Sequence, residues 1–245
     1  MKKCADIMCL VLLCMALWLA VKAGLHLPDY FLPWPRQVMV SLEINRDLLL
    51  SAFLSTFAEA MLGFLLALFL ALILGFLAYV LPFFARMLEP LVVISQALPM
   101  LAIAPLIILW LGFGWSAKLV VIVLALFFPI LASFMVGLNQ VKPLYLDLAA
   151  TMQASRYSLF RHIVFPASLP YLAAGLKIAI TWAVLSALIA EWVGGSNGLG
   201  FVMQNALSRL DVALLFAALL VLVLSTLILY ALMSWLLQHL IFWKD

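Results

Sequence analysis

Long apolar runs alternate with short polar segments along this chain of 245 residues. A bilayer core about 30 Å thick requires about 20 helical residues, and six of the runs approach or exceed that length. The runs are continuous and lack a period of two, so they predict transmembrane helices and not the strands of a barrel. The predicted spans are 7–23, 53–80, 90–111, 118–138, 168–190 and 212–243.

Composition agrees with this pattern. Hydrophobic residues make up 69% of the chain and charged residues 9%, whereas a soluble domain carries about 25% charged residues. The net charge is +3, and the basic residues are scattered, so no basic face for nucleic acid is predicted. The fold class is therefore an all-α, polytopic membrane protein with about six transmembrane helices, embedded in a lipid bilayer.

The distribution of lysine and arginine predicts the orientation. With the N-terminus inside, seven or eight basic residues lie on the cytoplasmic side and five outside. Both termini and the polar segment 139–166 are then cytoplasmic. In the alternative, Lys2 and Lys3 begin a signal peptide over 7–23, although Val21-Lys22-Ala23 is a poor cleavage site and cleavage would leave five spans.

The segment 139–166 is a polar, basic island in an otherwise apolar chain. Two short helices are predicted in it, over 144–152 and 155–163, with Ser155 as an N-cap and Pro166 as a stop signal. So polar a loop must lie in water, where it is available to a soluble partner. The alternative interpretation is a plain amphipathic connector.

The segment 24–50 joins the first two spans on the outside. Three prolines break the helix there. The part after residue 38 is predicted to form a short interfacial helix whose Leu42, Leu49 and Leu50 face lipid.

Sequence motifs for catalysis and for metal binding are missing. The chain has no Gly-x-x-x-x-Gly-Lys-Ser/Thr loop, no His-Glu-x-x-His and no Gly-x-Ser-x-Gly. The three histidines are isolated, and the three cysteines form no Cys-x-x-Cys pair. No catalytic, cofactor or metal site is predicted in this chain.

Polar residues within the spans are the candidates for a pathway or a gate. Glu59 and Glu191 are ionisable groups at membrane depth, which are costly and often functional. The alternatives are a water interface for Glu59 and hydrogen bonds to the 194–200 backbone for Glu191. For serine and threonine, a bond to a helix carbonyl is the commoner role. The other candidates are Ser95, Gln96, Thr181, Trp182, Ser186 and Asn197.

Glycine and proline predict how the spans pack. Gly63, Gly75, Gly112 and Gly175 are expected to allow close helix approach. Prolines 99, 105 and 129 can kink the third and fourth spans, and the third span, with two prolines, is expected to border a pathway.

The polar loop resembles that of the permease subunits of ABC importers. Their pattern is Glu-Ala-Ala, three residues, Gly, nine residues, Ile-x-Leu-Pro. Asp147-Leu148-Ala149 stands for Glu-Ala-Ala, Gln153 takes the glycine position, and Ile163-Val164-Phe165-Pro166 follows at the matching spacing. Segments 99–114, 170–179 and 191–200 also look like this family. The resemblance covers 53–245 and is closest to the branch for nitrate, sulfonates, taurine and thiamine precursors.

The resemblance implies a type I importer permease in a bacterial inner membrane, with an N-terminal part over 1–52 and a permease domain over 53–245. The chain would form the translocation path as a homodimer. A separate cytoplasmic ATPase would bind ATP and Mg²⁺, and a periplasmic or lipid-anchored binding protein would deliver substrate. The loop residues expected to contact the ATPase are Asp147, Ala149, Ala150, Gln153, Ala154, Arg156, Ile163 and Pro166.

Two residues depart from the family pattern. Asp147, predicted in the first turn of its helix, keeps the charge of glutamate but is shorter by one methylene. Gln153 replaces a glycine, which is costly if the turn requires a positive φ. The substrate best matched by resemblance is a pyrimidine precursor of thiamine, with sulfonate, taurine or nitrate as alternatives.

Two other classes of function were weighed against an importer subunit. A secondary transporter or channel that works alone would show internal repeats and would leave the polar loop without a role. A membrane-embedded enzyme would need clustered catalytic side chains, which the sequence lacks.

Overall fold

A computed structural model of the chain describes residues 2–141 and 143–241, and every regular element in this part is helical. The elements are α1 (Lys2–Gly24), α2 (Pro35–Ile44), α3 (Arg46–Val80), α4 (Pro82–Ala97), α5 (Met100–Leu111), α6 (Trp115–Leu138), α7 (Pro143–Thr151), α8 (Arg156–Leu159), a π-helical turn (Phe160–Val164), α9 (Phe165–Gly194), α10 (Leu199–Ser208) and α11 (Val212–Leu240).

Four helices in the described part are long and apolar enough to cross a membrane: α3, α6, α11 and the continuous helix Arg156–Gly194. They contain the second, fourth and fifth predicted spans and the sixth as far as Leu240; residues 242 and 243 of the sixth lie outside the described residues. The third predicted span is not one straight helix. It is divided between Pro82–Ser95 and Met100–Leu111, which meet at 108°. The first lies in α1, whose described apolar part, Leu12–Gly24, is shorter than a span.

Helix α6 packs between α3 and α9, and small residues allow this close approach. A Cβ added at Gly63 or Gly75 of α3 would overlap a side chain of α6, and one at Gly175 of α9 would lie 2.6 Å from Ser133 Cβ. Three of the four predicted packing glycines therefore have that role. Gly112 does not, because it ends α5 with a φ of +77° and a Cβ there would meet nothing within 4 Å.

The polar loop differs from its prediction in two respects. Helix α7 begins at Pro143, so Asp147 lies beyond its first turn. The second predicted helix does not stop at Pro166, because α8, the π-helical turn and α9 form one continuous helix. The π-helical turn, in which Phe165 N–H bonds to Phe160 O, comes directly before Pro166. Such a turn shifts the local bonding pattern where a proline cannot donate.

The segment before α3 is held by a small polar network. Lys22, 3% exposed, donates to Asp29 Oδ1 at 2.8 Å and to Leu27 O at 2.5 Å. Gln37 Nε2 donates to Asp29 Oδ2 at 2.8 Å. The hydrogen bond from Lys22, and to a smaller extent the one from Gln37, holds the pKa of Asp29 below its usual value.

The predicted interfacial helix corresponds to α2, which ends at Ile44. Residues 46–50 already belong to α3, and Leu49, expected to face lipid, is 3% exposed. Because α3 starts at Arg46, the face that carries Leu49 is turned toward the core rather than toward lipid.

Candidate functional site

A cluster of charged side chains is buried near one end of the bundle. Glu59 on α3 is fully buried, and its Oε1 accepts a hydrogen bond from Lys118 Nζ on α6 at 2.5 Å. Lys118 is 4% exposed. The other oxygen of Glu59, Oε2, has no hydrogen-bond partner in the described part of the chain. An ammonium group in this position compensates a carboxylate that burial alone would strongly disfavour.

Glu191, on the last turn of α9, extends this cluster. It is fully buried. Its Oε1 accepts from Thr56 Oγ1 at 2.7 Å, and its Oε2 accepts from Gly200 N–H at 2.7 Å. Thr56 in turn accepts from Leu199 N–H at 2.8 Å. Two amides at the N-terminus of α10, which have no partner within that helix, are thus bonded by side chains from α3 and α9.

The turn between α9 and α10 is shaped to admit the Glu191 side chain. Gly198 has a φ of +107°, and a Cβ there would overlap the Glu191 carboxyl group. Glycine meets both demands, because it tolerates positive φ and leaves space for the carboxyl group.

The cluster therefore joins four helices, α3, α6, α9 and α10, through side chains withdrawn from solvent. The cluster aligns these helices and does not bind a ligand, since Glu59 and Glu191 have no exposed surface. The sequence prediction found both glutamates and missed Lys118 and Thr56. Lys118 was one of the five basic residues placed outside, at the start of the fourth predicted span. A usable signal was the positive charge of Lys118 at the start of the fourth predicted span, because it can pair with a carboxylate such as Glu59 in another span.

A cavity of about 560 Å³ lies elsewhere, where the break between α4 and α5 faces α6 and α9. It brings together three predicted candidates, Ser95, Trp182 and Ser186. Both serine hydroxyls bond to carbonyls of their own helices, at 2.7 Å and 2.9 Å, as is common in apolar helices. The broken third span borders this cavity through Pro99.

The remaining candidates are dispersed. Thr181 donates to Lys177 O at 2.8 Å and is not among the residues that line the cavity. Asn197 lines a separate polar cavity of about 380 Å³ between α3, α10 and the start of α11. The side chain of Gln96 lies outside the described residues. The candidates whose side chains are described thus do not form one site.

The turn after α7 is a Schellman motif at the predicted glycine position. Gln153 has a φ of +53°. Ala154 N–H bonds to Ala149 O at 2.9 Å, and Gln153 N–H bonds to Ala150 O at 3.0 Å. This pair of bonds defines the motif, which usually places glycine where Gln153 lies. The turn keeps its shape without glycine, at the cost of a strained residue.

The surface of α7 is unusually apolar for a loop. Leu144 and Met152 are 72% and 73% exposed, and Leu148 is 54% exposed. Asp147 and Arg156 are also exposed, and of the predicted contact residues Ala149 alone is buried. Phe160 anchors the loop to α3, because its ring centroid lies 4.8 Å from that of Phe76 and 5.0 Å from that of Tyr79.

Comparison with known proteins identifies the family. The sequence profile of the binding-protein-dependent transport system inner membrane component family matches residues 63–243. The chain is 40% identical over 229 residues to a probable ABC transporter permease protein of Haemophilus influenzae, with 92% of each chain covered. It is 33% identical over 201 residues to the formylaminopyrimidine transport permease protein ThiX of Halalkalibacterium halodurans, with 82% of this chain and 80% of that protein covered.

The fold agrees with a solved importer. An inward-facing structure of the MetNI methionine ABC transporter superposes with a TM-score of 0.70 at 18% identity, over 80% of this chain and 98% of that one. The chain belongs to the binding-protein-dependent transport system inner membrane component family and is a permease subunit of an ABC importer.

Proposed function

We propose that this subunit forms the translocation path and is driven by a separate cytoplasmic ATPase that binds the loop 139–166. The observation that carries the proposal is the surface of α7. A helix in water that exposes Leu144 and Leu148, followed directly by the exposed Met152, presents an apolar patch of the kind that marks a protein interface. Asp147 lies on the same short helix and supplies a charged contact. The chain has no nucleotide-binding loop of its own, so ATP and Mg²⁺ belong to the partner.

The loop is built to transmit a displacement. Arg156 begins the continuous helix that runs through α9 to Gly194. A shift imposed on the loop therefore moves one wall of the cavity that contains Trp182 and, at the far end, the Glu191 carboxyl group. Nucleotide binding by the ATPase would supply the differential free energy that moves the permease between two states.

The path lies between two copies of the chain. The cavity that contains Ser95, Trp182 and Ser186 is apolar and opens on one side of the bundle, and Trp182 is 51% exposed there. A second copy, related by a two-fold axis, would close it. A homodimer with cytoplasmic termini and a binding protein at the opposite face completes the assembly.

Glu59 and Glu191 act in this scheme by holding the outer ends of α3, α6 and α9 in register with α10. Because both side chains are buried, we assign them to the closure of the outer face and not to contact with substrate. Asn197, at the mouth of the neighbouring polar cavity, faces the side from which the binding protein would approach.

The proposed substrate is a small pyrimidine precursor of thiamine. Support comes from the resemblance to that branch and from the relative ThiX, a formylaminopyrimidine permease at 33% identity. Sulfonates, taurine and nitrate are the alternatives within the same branch. The substrate is tested by identifying the binding protein that copurifies and the ligand it carries.

The decisive experiment is copurification from the native membrane with an affinity tag on this chain, followed by mass spectrometry. An ATPase subunit in about equal amount is expected. Asp147→Lys should release it, since the substitution reverses a charge within the apolar patch. The matched control is Asp47→Lys, which makes the same change at an exposed position on α3 and should leave the complex intact.

Three results would contradict the proposal. In the first, the ATPase stays bound to Asp147→Lys. In the second, it leaves Asp47→Lys equally, and either result would remove the loop from the interface. A chain that purifies alone and transports in liposomes without ATP would establish a stand-alone secondary transporter or channel.

A further inference from the structure

A cavity of about 340 Å³ lies where the end of α3 meets the start of the helix that leaves the polar loop. Its floor is aromatic and apolar, formed by Phe76, Val80 and Phe160. Tyr79, Arg156 and Tyr157 provide its polar groups. It is separate from both cavities described above, and of its lining residues Arg156 alone is also one of the predicted ATPase contacts.

The polar side of this cavity is basic. Arg156 is exposed, and within the described ranges no carboxylate lies within ion-pair distance of it or of Arg161. Arg161 does not line the cavity itself, but its Nη1 donates to the hydroxyl of the lining residue Tyr157 at 3.4 Å. The loop 139–166 contains one acidic residue, Asp147. One guanidinium group therefore lines the cavity and a second is bonded to its Tyr157, and neither has an ion-pair partner in the described part of the chain.

The apolar floor belongs to the membrane. Phe76 and Val80 are 39% and 41% exposed, and both lie on the last turns of a helix that crosses the bilayer. A soluble anion would neutralise the arginines and leave these side chains uncovered. A ligand that fits both halves has an anionic head and a hydrocarbon body. Tyrosines at the headgroup level are typical of this boundary.

We propose that this cavity binds one acidic phospholipid. The phosphate group lies against Arg156 and Arg161 and accepts hydrogen bonds from the hydroxyls of Tyr79 and Tyr157. An acyl chain runs along Phe76 toward the bilayer core. Basic pockets between spanning helices bind anionic headgroups in this way, and each arginine near the surface contributes about 1 kcal/mol. The site requires that α3 ends at the membrane surface, and it holds whichever protein the loop binds.

The test measures the preference of the purified, full-length complex for phosphatidylglycerol over phosphatidylcholine by native mass spectrometry during a lipid titration. Arg156→Gln should weaken phosphatidylglycerol binding about fivefold, and the pair Arg156→Gln/Arg161→Gln about 30-fold, since two contacts of that size are lost. The matched control is Arg36→Gln/Arg209→Gln, which removes the same charge from exposed positions at the other end of the bundle.

Three results would overturn the proposal. The first is an unchanged lipid preference in the variant pair. The second is an equal loss in the control pair, which would reveal a general effect of net charge. The third is loss of the copurified ATPase together with the lipid preference, which would assign Arg156 to the protein interface. Retention of the ATPase together with loss of lipid preference supports the lipid site and leaves the proposed transport function unaffected.

Discussion

The polar side chains at the two ends of α3 differ in burial and in their bonding partners. Nearer its start, Thr56 and Glu59 are sealed from solvent. Glu59 is bonded to Lys118, and Thr56 is bonded to Glu191 and to the Leu199 amide of α10. At its other end, α3 meets a loop whose polar and apolar side chains alike are mostly exposed. The first end is closed by partners from within the chain. The second end has the composition of a surface that binds another molecule.

The difference shows why charged side chains occur around both ends of α3 in an otherwise apolar bundle. A buried carboxylate is stable only with a geometrically fixed partner, so the cluster specifies how four helices are aligned. An exposed charged residue needs no fixed partner, and replacing it changes the free energy of unfolding only slightly. Substitutions should therefore affect folding at the cluster and association at the loop.

The largest effect is expected from Lys118→Met, which leaves Glu59 buried without a compensating charge. We expect a loss of about 3–5 kcal/mol in the free energy of unfolding, as for other buried pairs broken on one side. Equilibrium unfolding of the purified chain in mixed micelles measures it. In contrast, Leu148→Asp on the exposed face of α7 should change stability by less than about 0.5 kcal/mol.

A double variant separates the charge from the packing. Glu59→Met/Lys118→Met replaces the pair with apolar side chains and should recover most of the loss, because no buried charge remains. If the double variant is as unstable as Lys118→Met, the Glu59–Lys118 pair stabilises the fold through its specific geometry. The difference between the two ends of α3 would then not be explained by the burial of charge.

A smaller effect is expected at Glu191. Glu191→Ala removes the acceptor of Gly200 N–H and one of the two acceptors of Thr56 Oγ1, and it should cost about 2–3 kcal/mol because the Gly200 amide stays buried. Glu191→Gln keeps one acceptor oxygen and should cost less. Hydrogen exchange at the amides of Leu199 and Gly200 reports the loss locally. Equal exchange in both variants would contradict the role as a cap for α10.

Much of the fold was predictable from the sequence. Apolar run length identified the four long spans, because lipid imposes a uniform demand on each of them. Gly63, Gly75 and Gly175 were recognised as packing positions since small residues mark helix contacts in membranes. The break in the third span was signalled by its prolines, although its angle of 108° depends on contacts that a single sequence does not reveal.

The site was predictable only in part, and the reason is physical. Glu59 and Glu191 stood out because each is a lone charge in an apolar run. Their partners belong to other spans, and Thr56 lies 135 residues from Glu191 in sequence, so pairing required tertiary structure. The π-helical turn before Pro166 was missed for a related reason, since proline is ordinarily a stop signal and the neighbouring α3 and α6 keep this helix continuous.

The strain at the loop end should be relieved by Gln153→Gly. A left-handed residue other than glycine costs about 1–2 kcal/mol, so glycine should stabilise the turn by about 1 kcal/mol. Amides of α7 should then exchange about fivefold more slowly. Ala154→Gly, at a neighbour without positive φ, is the control and should accelerate exchange. Slower exchange in both variants would show that the effect does not come from backbone strain.

The smallest effect concerns the Lys22–Asp29 pair, which lies between the two extremes, with exposures of 3% and 59%. Hydrogen bonds from Lys22 and Gln37 lower the pKa of Asp29, so its carboxylate form is stabilised by folding. The contribution is fully present above the usual value of 3.8 and is lost as the pH falls through the lower folded value. A spin label at Tyr30, in a background without the native cysteines, should become more mobile below about pH 4. Asp29→Asn should be mobile at every pH, and an acid transition that persists in that variant would assign the effect to another carboxyl group.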